Sequence, residues 1–261
     1  MKIVSVLTGL VLASLGTLAL ADALPDLKGK EITIVTENAY PPLQFLDKEG
    51  KAIGWEYDAI ADMAKRLNFT VKYANISWDA MIPAVSEGQF DMGMTGITIT
   101  DERRAKVDFS EPYMRSESVM MVRGDESRFT DAKSFAANDK LLIGAQAGTT
   151  PFYTAVYDVL DGNEQNPRIK LFETFGTSVE ALKAGDVDTV LTDKTAGEGY
   201  VTASGGKLKL VGAPLGTEDF GFIFKKGSEW EAPINAAIAA MKADGSFDAL
   251  NKKWFLDYKM N

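Results

Sequence analysis

The 261-residue chain contains no histidine and no cysteine. The first absence removes Ser-His-Asp triads and imidazole acid-base chemistry; the second removes thiol nucleophiles and iron–sulfur ligation. Together they remove zinc sites of the usual kind. A lipid-modified N-terminal cysteine is excluded too. The missing cysteine does not fix a redox compartment, because a chain of this length can build its core without disulfides. Positive charge is also scarce: 28 basic residues stand against 37 acidic ones, a net charge of -9, which leaves no basic footprint for nucleic acid. Any enzyme built here would work with Asp, Glu, Lys, Arg, Tyr, Ser or Thr. With 46% hydrophobic and 25% charged residues the composition is that of a globular protein.

One long apolar run is present, at the start. Met1-Lys2 is followed by Ile3 to Leu20 without a charge and by Ala19-Leu20-Ala21 as a small-x-small site. Residues 1–21 therefore read as a secretory signal peptide, cleaved after Ala21 or Ala23. No later stretch is apolar enough to span a bilayer. The expectation is an exported, soluble, acidic protein.

Short apolar runs alternate with amphipathic segments, the pattern of an α/β fold. Ile32 to Thr36 and Val71 to Tyr73 read as strands. Asp58 to Leu67 and Trp78 to Glu87 read as helices with apolar residues on one face. Phe90 to Thr95 alternates as a strand. Further strands are expected at 119–122, 141–145, 169–172, 189–192, 208–211 and 221–224, and a helical region runs from Pro233 through Trp254. Glu87-Gly88-Gln89-Phe90-Asp91 through Thr95-Gly96 is echoed 97 positions later by Ala184-Gly185-Asp186-Val187-Asp188 through Thr192-Asp193. Two copies of a helix-glycine-strand unit predict two lobes of similar plan. Ligands of open α/β sheets sit beyond the carboxyl ends of strands, so Thr95-Gly96 and Thr192-Asp193 would face each other across a cleft.

The most informative stretch is Gly96-Ile-Thr-Ile-Thr-Asp-Glu-Arg103-Arg104, followed by Asp108-Phe-Ser-Glu-Pro-Tyr113. Thr100 suits an N-cap and Asp101-Glu102 a first helical turn, which places Arg103 beside free backbone N–H groups. A guanidinium there, with Thr98, makes a site for a carboxylate. Taken on this segment alone, a surface pairing of Arg103 with Glu102 or Asp108 reads better. Gln146-Ala-Gly-Thr-Thr150-Pro151 predicts a second helix start, with Thr150 as cap and Pro151 at the first helical position. Asp193 supplies a counter-charge for an ammonium; an exposed loop acid is its plain alternative. Tyr40, held by Pro41 and Pro42, and Trp78 fall at carboxyl ends of strands, where they would pack on a ligand stem or simply join the core.

Those residues, with Gly54-Trp-Glu-Tyr-Asp58, Trp78-Asp-Ala-Met-Ile-Pro83, Met241-Lys-Ala-Asp-Gly-Ser-Phe-Asp248 and Lys253-Trp-Phe255, resemble the family 3 periplasmic solute-binding proteins, the amino-acid receptors of ABC importers. The likeness covers essentially the whole chain after the signal segment. It implies a two-lobed periplasmic-binding-protein fold of type II, with a cleft between lobes and two hinge crossings. Lobe 1 would hold residues 28–117 and 213–261, and lobe 2 residues 118–212. It also implies that Arg103 holds a ligand α-carboxylate, that Gly96, Thr98 and Thr150 add donors or acceptors, that Asp193 binds the α-amino group and that Tyr40 and Trp78 flank the side chain. Trp55-Glu56-Tyr57-Asp58 departs from the Phe-Asp-x-Asp pattern of the family, and Gln146 occupies a position that varies with ligand.

The expected function is capture of an L-amino acid in the periplasm by a monomer and delivery to a membrane-embedded ABC permease, with no catalytic residue, cofactor, metal or nucleic acid. Glu37, three residues before Tyr40, would attract a cationic or amide-bearing side chain and Gln146 would hydrogen-bond it, which favours a polar or basic ligand. The opposing reading puts Glu37 at the rim in solvent and leaves Tyr40 and Trp78 to select an apolar side chain. Gly197-Glu-Gly199-Tyr-Val-Thr202 fails the dinucleotide fingerprint, and Gly206-Lys207-Leu208 lacks the hydroxyl of a phosphate loop. The alternatives are an arogenate or prephenate dehydratase-like enzyme using Glu37 or Glu56 as general acid, and a sensor that presents its ligand to a receptor.

Overall fold

The computed structural model describes residues 24–258; the expected signal peptide, residues 1–21, lies outside them. Two five-stranded sheets and one small three-stranded sheet make up the β structure of those residues. In the first sheet Lys30–Thr36 lies between Phe69–Asn75 and Met92–Gly93, parallel to both. A parallel strand is covered on both faces, and Ile32, Ile34 and Val35 are all buried rather than alternating. Ile223–Phe224 joins antiparallel to Met92–Gly93, and Asp108–Phe109 forms the edge.

The second sheet repeats this plan. Ile143–Gln146 lies between Ile169–Phe172 and Thr189–Asp193, parallel to both, and Met114–Arg123 follows antiparallel with Leu208–Phe220 outside it. In each sheet three parallel strands stand in the order second, first, third, and the next strand comes from a segment that crosses between the sheets. The internal echo in the sequence thus marks the third strand of each trio. Helix Phe175–Ala184 is capped by Gly185 at φ +89°, while helix Trp78–Ser86 is capped by Glu87 and turns at Gly88, φ +78°. Such left-handed backbone favours glycine.

The chain leaves the first sheet after Phe109 and returns at Ile223. Both passages run in one ribbon, in which Met114–Arg123 pairs with Leu208–Phe220 from Met114↔Phe220 to Arg123↔Leu208, with the register shifting between Val211 and Gly216. The divisions at 117/118 and 212/213 fall within this ribbon.

Several features differ from the sequence expectations; the strand expected over Phe90 to Thr95, for one, is reduced to Met92–Gly93. The strand expected at 208–211 continues to Phe220, because its partner passes through both lobes and keeps offering backbone groups. Ala39–Tyr40, Gln44–Leu46 and Ala52–Ile53 form the small antiparallel sheet, whose strands of two or three residues are too short to show a period. The terminal helical region breaks at Asp244-Gly245 into Glu231–Ala243 and Ser246–Asn251, followed by a π-helical segment Lys252–Asp257.

Helix Trp55–Leu67 begins three residues earlier than its periodicity suggests. Gly54 makes this start possible: at φ +141° a Cβ there would lie 2.2 Å from the Leu43 carbonyl oxygen. Trp55 is fully buried, stacked on Tyr113 at 5.3 Å and against Phe247 at 5.2 Å. The Asp58 carboxylate accepts from Trp254 Nε1 at 2.7 Å and Lys253 Nζ at 2.6 Å, so the C-terminal Lys-Trp-Phe sequence ties the chain end back onto the first lobe.

Candidate functional site

The parallel strands of both sheets end at the space between them, and eight of the nine residues singled out above line one cavity there. They are Glu37, Tyr40, Trp78, Gly96, Thr98 and Arg103 from the first lobe, and Gln146 and Thr150 from the second; Thr95, Thr149, Pro151, Phe175 and Glu218 complete the wall. The cavity has a volume of about 50 Å³. A larger groove of about 730 Å³ shares Trp78, Arg103 and Thr150 and opens outward past Asp79 and Tyr153.

Arg103 is 7% exposed. Thr100 Oγ1 caps its helix by accepting the Arg103 amide at 3.2 Å, as its sequence position suggested. The guanidinium lies 4.8 Å from the centre of the Trp78 ring and donates to the carbonyl of Thr98 at 2.9 Å and, across the cleft, to that of Gly148 at 3.3 Å. No carboxylate stands within 4 Å of it among the described residues; Glu102 and Asp108, its surface alternatives, pair with Lys106 and Lys226 instead. Burial lowers its pKa to about 10, which still leaves it charged at neutral pH. A buried guanidinium without a counter-ion is arranged to receive an anion.

The helix starts contribute less than their sequences promised. Asp101–Arg104 is a single turn, and Thr150–Thr154 is five residues that run on into a π-helical segment. Short helices carry little of a macrodipole, so the anion site rests on the arginine. The second cap is Thr149, not Thr150: its Oγ1 accepts from Phe152 N at 3.2 Å and donates to the Gln146 carbonyl at 2.7 Å, which moves Pro151 to the second helical position. The shift frees Thr150, whose hydroxyl is buried without a partner in the cavity wall.

Asp193 is 1% exposed, so it is no loop acid. It caps helix Lys194–Ala203, its Oδ1 accepting from Ser116 Oγ at 2.9 Å, Thr195 N at 2.8 Å and Ala196 N at 3.2 Å, while Oδ2 is buried unpartnered. Burial raises its pKa. It does not line the cavity. Tyr40 stands nearest, its hydroxyl 3.1 Å from Thr192 Oγ1 and accepting the Asp193 amide at 3.4 Å, its ring edge-on to Phe175 at 5.0 Å. Glu37 is half-buried and accepts from Gln146 Nε2 at 2.7 Å; the same nitrogen donates to the Glu173 carbonyl at 2.8 Å. Burial raises the Glu37 pKa. The two residues read as gripping a ligand side chain therefore grip each other across the cleft.

Two further carboxylates escaped notice as site residues of a binding protein. Glu218, 5% exposed, accepts from Thr98 Oγ1 at 2.7 Å and Ser118 Oγ at 2.5 Å, and burial raises its pKa. Its signal was the period of two: counting back from Phe222 and Phe220 puts Glu218 on the inward face. Glu56 is fully buried behind Gly96, accepting that residue's amide at 2.9 Å and the Tyr113 hydroxyl, with Oε2 unpartnered. It does not line the cavity, which removes it as a general acid; it holds the Gly96 turn, where φ is +63°. Among the described residues no group of three or more metal-ligating side chains is placed to hold a metal ion.

Burial raises the Glu56 pKa from 4.5 to about 7. The folded state therefore keeps a proton that the unfolded state has released between those values. The stabilisation is complete below pH 4.5 and is lost as pH rises through 7. Over that window the unfolding free energy of the wild type should fall relative to that of Glu56→Gln by about 1–3 kcal/mol. Urea titrations at pH 4.5 and 7.5 check this; parallel curves would show that Glu56 is ionised throughout.

Residues 32–257 match the model of the bacterial extracellular solute-binding proteins, family 3. A probable histidine-binding protein of Neisseria gonorrhoeae is 30% identical over 232 residues, 87% of this chain and 84% of that one. The L-cystine-binding protein TcyA of Bacillus subtilis is 32% identical over 86% of this chain and 81% of its own. The arginine-, lysine-, histidine-binding protein ArtJ of Geobacillus stearothermophilus superimposes with a TM-score of 0.79 at 32% identity, covering 87% of this chain and 95% of that one. The two-lobed α/β fold is therefore of the type II periplasmic-binding-protein kind, and the chain belongs to the bacterial extracellular solute-binding proteins, family 3.

Proposed function

We propose that this protein captures a polar or basic L-α-amino acid in the periplasm, as a monomer, and delivers it to an ABC permease in the membrane. The observation that carries the reading is Arg103, a buried guanidinium in the cleft wall whose only hydrogen-bond acceptors among the described residues are two backbone carbonyls. A ligand carboxylate would supply its counter-charge. The wall also holds Glu37 and Glu218, with Asp193 behind Tyr40. Two carboxyl groups in the wall, with a third behind it, outnumber the one guanidinium, and an amino acid whose side chain carries positive charge offsets the surplus. The relatives named for histidine and for arginine, lysine and histidine agree with a basic ligand; the cystine-binding relative favours the wider, polar class.

The inner cavity, about 50 Å³, shares Trp78, Arg103 and Thr150 with the outer groove of about 730 Å³; an amino acid seated against both lobes would be admitted by their parting. Single hydrogen bonds join them: Tyr40 to Thr192, Gln146 to Glu37, Arg103 to Gly148 and Tyr200 Oη to the Ala39 carbonyl at 3.4 Å. The neutral ones are worth about 1 kcal/mol net and those involving the charged groups of Arg103 and Glu37 about 1.5–3 kcal/mol, and the two-strand ribbon serves as the hinge.

A thermal-shift series with the twenty amino acids tests this reading. A ligand at a hundredfold its dissociation constant stabilises the fold by about 2.7 kcal/mol, and the largest shifts should come from arginine, lysine, histidine or glutamine. Shifts confined to leucine, phenylalanine or glutamate would overturn the use of Glu37 while leaving amino-acid capture intact. Shifts with none would overturn the function.

A further inference from the structure

We propose that the C-terminal segment of the first lobe is a weak brake on lobe opening: it faces helix Lys194–Ala203 of the second lobe across a niche separate from the ligand cavity, and Glu198 on that helix keeps the brake weak. This rests on the reading that the lobes part to admit a ligand, and it assigns part of the affinity to residues that do not touch one.

The niche, of about 190 Å³, takes its walls from both lobes. Pro42, Trp254, Phe255, Leu256 and Tyr258 form the first-lobe wall, and Thr195, Glu198, Gly199 and Thr202 the second-lobe wall. It shares no residue with the ligand cavity or with the outer groove. The first-lobe wall is fixed to its own lobe: Trp254 is buried, donates from Nε1 to Asp58 at 2.7 Å and stands edge-on to Phe45 at 6.1 Å. The second-lobe residues recur at intervals of three and four, so they form one face of their helix. That face runs roughly 10 Å along the helix axis, away from its start at Asp193.

The sense of the coupling follows from the neighbouring contacts. Tyr40 Oη lies 3.1 Å from Thr192 Oγ1, and Tyr200 Oη donates to the Ala39 carbonyl at 3.4 Å. Pro42 closely follows that first-lobe segment, and Thr195, Gly199 and Thr202 stand on the same helix as Tyr200. The segments that bond each other across the cleft therefore continue into the niche, and parting the lobes about the ribbon widens both. Parting exposes the apolar wall to water, so the niche favours the joined lobes.

The bias is small because the walls do not match. Apolar and aromatic side chains on one side face two threonines, a glycine and a carboxylate on the other. Joining the lobes brings Glu198 toward the aromatic wall with no ion pair within 4 Å among the described residues; Lys194, one turn earlier, pairs with Glu117 at 3.4 Å instead. Partial desolvation of an unpaired charge opposes closure. The contact therefore biases the lobes toward closure without locking them.

The test separates lobe position from ligand contact. Glu198→Leu replaces the charge by an apolar side chain and should tighten binding about three- to tenfold, whereas Phe255→Ser should weaken it by about the same factor. Both act on the equilibrium between lobe arrangements, so each factor should be the same for two different amino-acid ligands drawn from the thermal-shift series and measured by calorimetry. Unchanged affinity in Glu198→Leu, or factors that differ between the ligands, would overturn the proposal. The chain has no cysteine, so spin labels at Ala203→Cys and Asp257→Cys, exposed positions beside the niche, report its width. Without ligand the label distance should be shorter when Glu198→Leu is added to this labelled pair and longer when Phe255→Ser is added; no difference, or the reverse order, would overturn it. Should Phe255→Ser fail to fold, Thr202→Leu takes its place and should act in the same sense as Glu198→Leu, any other result counting against the brake. Absence of any binder among the twenty amino acids would overturn the amino-acid reading alone, since the ligand-free distances still decide the brake.

Discussion

Arg103→Ala is expected to weaken amino-acid binding by about 2–5 kcal/mol, roughly thirty- to several-thousandfold, as truncation of one side of a buried charge pair does. The size of the effect follows from what remains. With the guanidinium gone, the cleft wall keeps Glu37 and Glu218 and no cation. Lys106 lines the outer groove but is exposed and paired with Glu102 at 3.0 Å. A ligand carboxylate would then be desolvated beside like charges with only the Thr150 hydroxyl and backbone groups to meet it. Arg103→Lys should recover little, because a single ammonium cannot reproduce the planar fork that stacks on Trp78 while donating in two directions. Calorimetry on both variants checks the expectation, and an unchanged dissociation constant for Arg103→Ala would remove Arg103 from the site.

The largest effect on stability is expected at Trp55, which does not line the cavity. Trp55→Ala should cost about 3–5 kcal/mol and lower Tm by roughly 10 °C. The indole is fully buried between Tyr113 and Phe247 and donates from Nε1 to Asn251 Oδ1 at 2.8 Å, so truncation opens a cavity and orphans an acceptor. The consequence reaches the cleft by a short chain of contacts. Tyr113 stacks on both Trp55 and Phe222, its hydroxyl donates to Glu56, and Glu56 holds the Gly96 amide. Ligand affinity should therefore fall together with the urea midpoint. A loss below about 1 kcal/mol would show that the aromatic stack relaxes into the gap and supports neither the core nor the turn.

The parts of this molecule legible in its sequence are those governed by local periodicity. Ile32 to Thr36, the Gly88 and Gly185 turns and the strands after them could be read because apolar spacing and positive-φ glycines are short-range signals. The outward crossing strand was read from its buried apolar run at 119–122, but its extent, and that of Leu208–Phe220, depends on pairing between segments about a hundred residues apart. That pairing also hid Glu218, which sits in a stretch with no turn or helix signature. The cap at Thr149 was misplaced by one residue because two adjacent threonines precede Pro151 and the sequence offers nothing to choose between them. Glu37 and Gln146, read from their positions at strand ends, line the same cavity. Their mutual hydrogen bond depends on how closely the lobes approach, a tertiary distance that no local pattern encodes.

The most direct measurement is a crystal structure with the tightest-binding amino acid in place. The α-carboxylate is expected on the terminal nitrogens of Arg103 beside the Thr150 hydroxyl, and the side chain directed toward Glu37. A ligand whose carboxylate is held elsewhere, with Arg103 still donating only to the Thr98 and Gly148 carbonyls, would contradict the assignment at its centre.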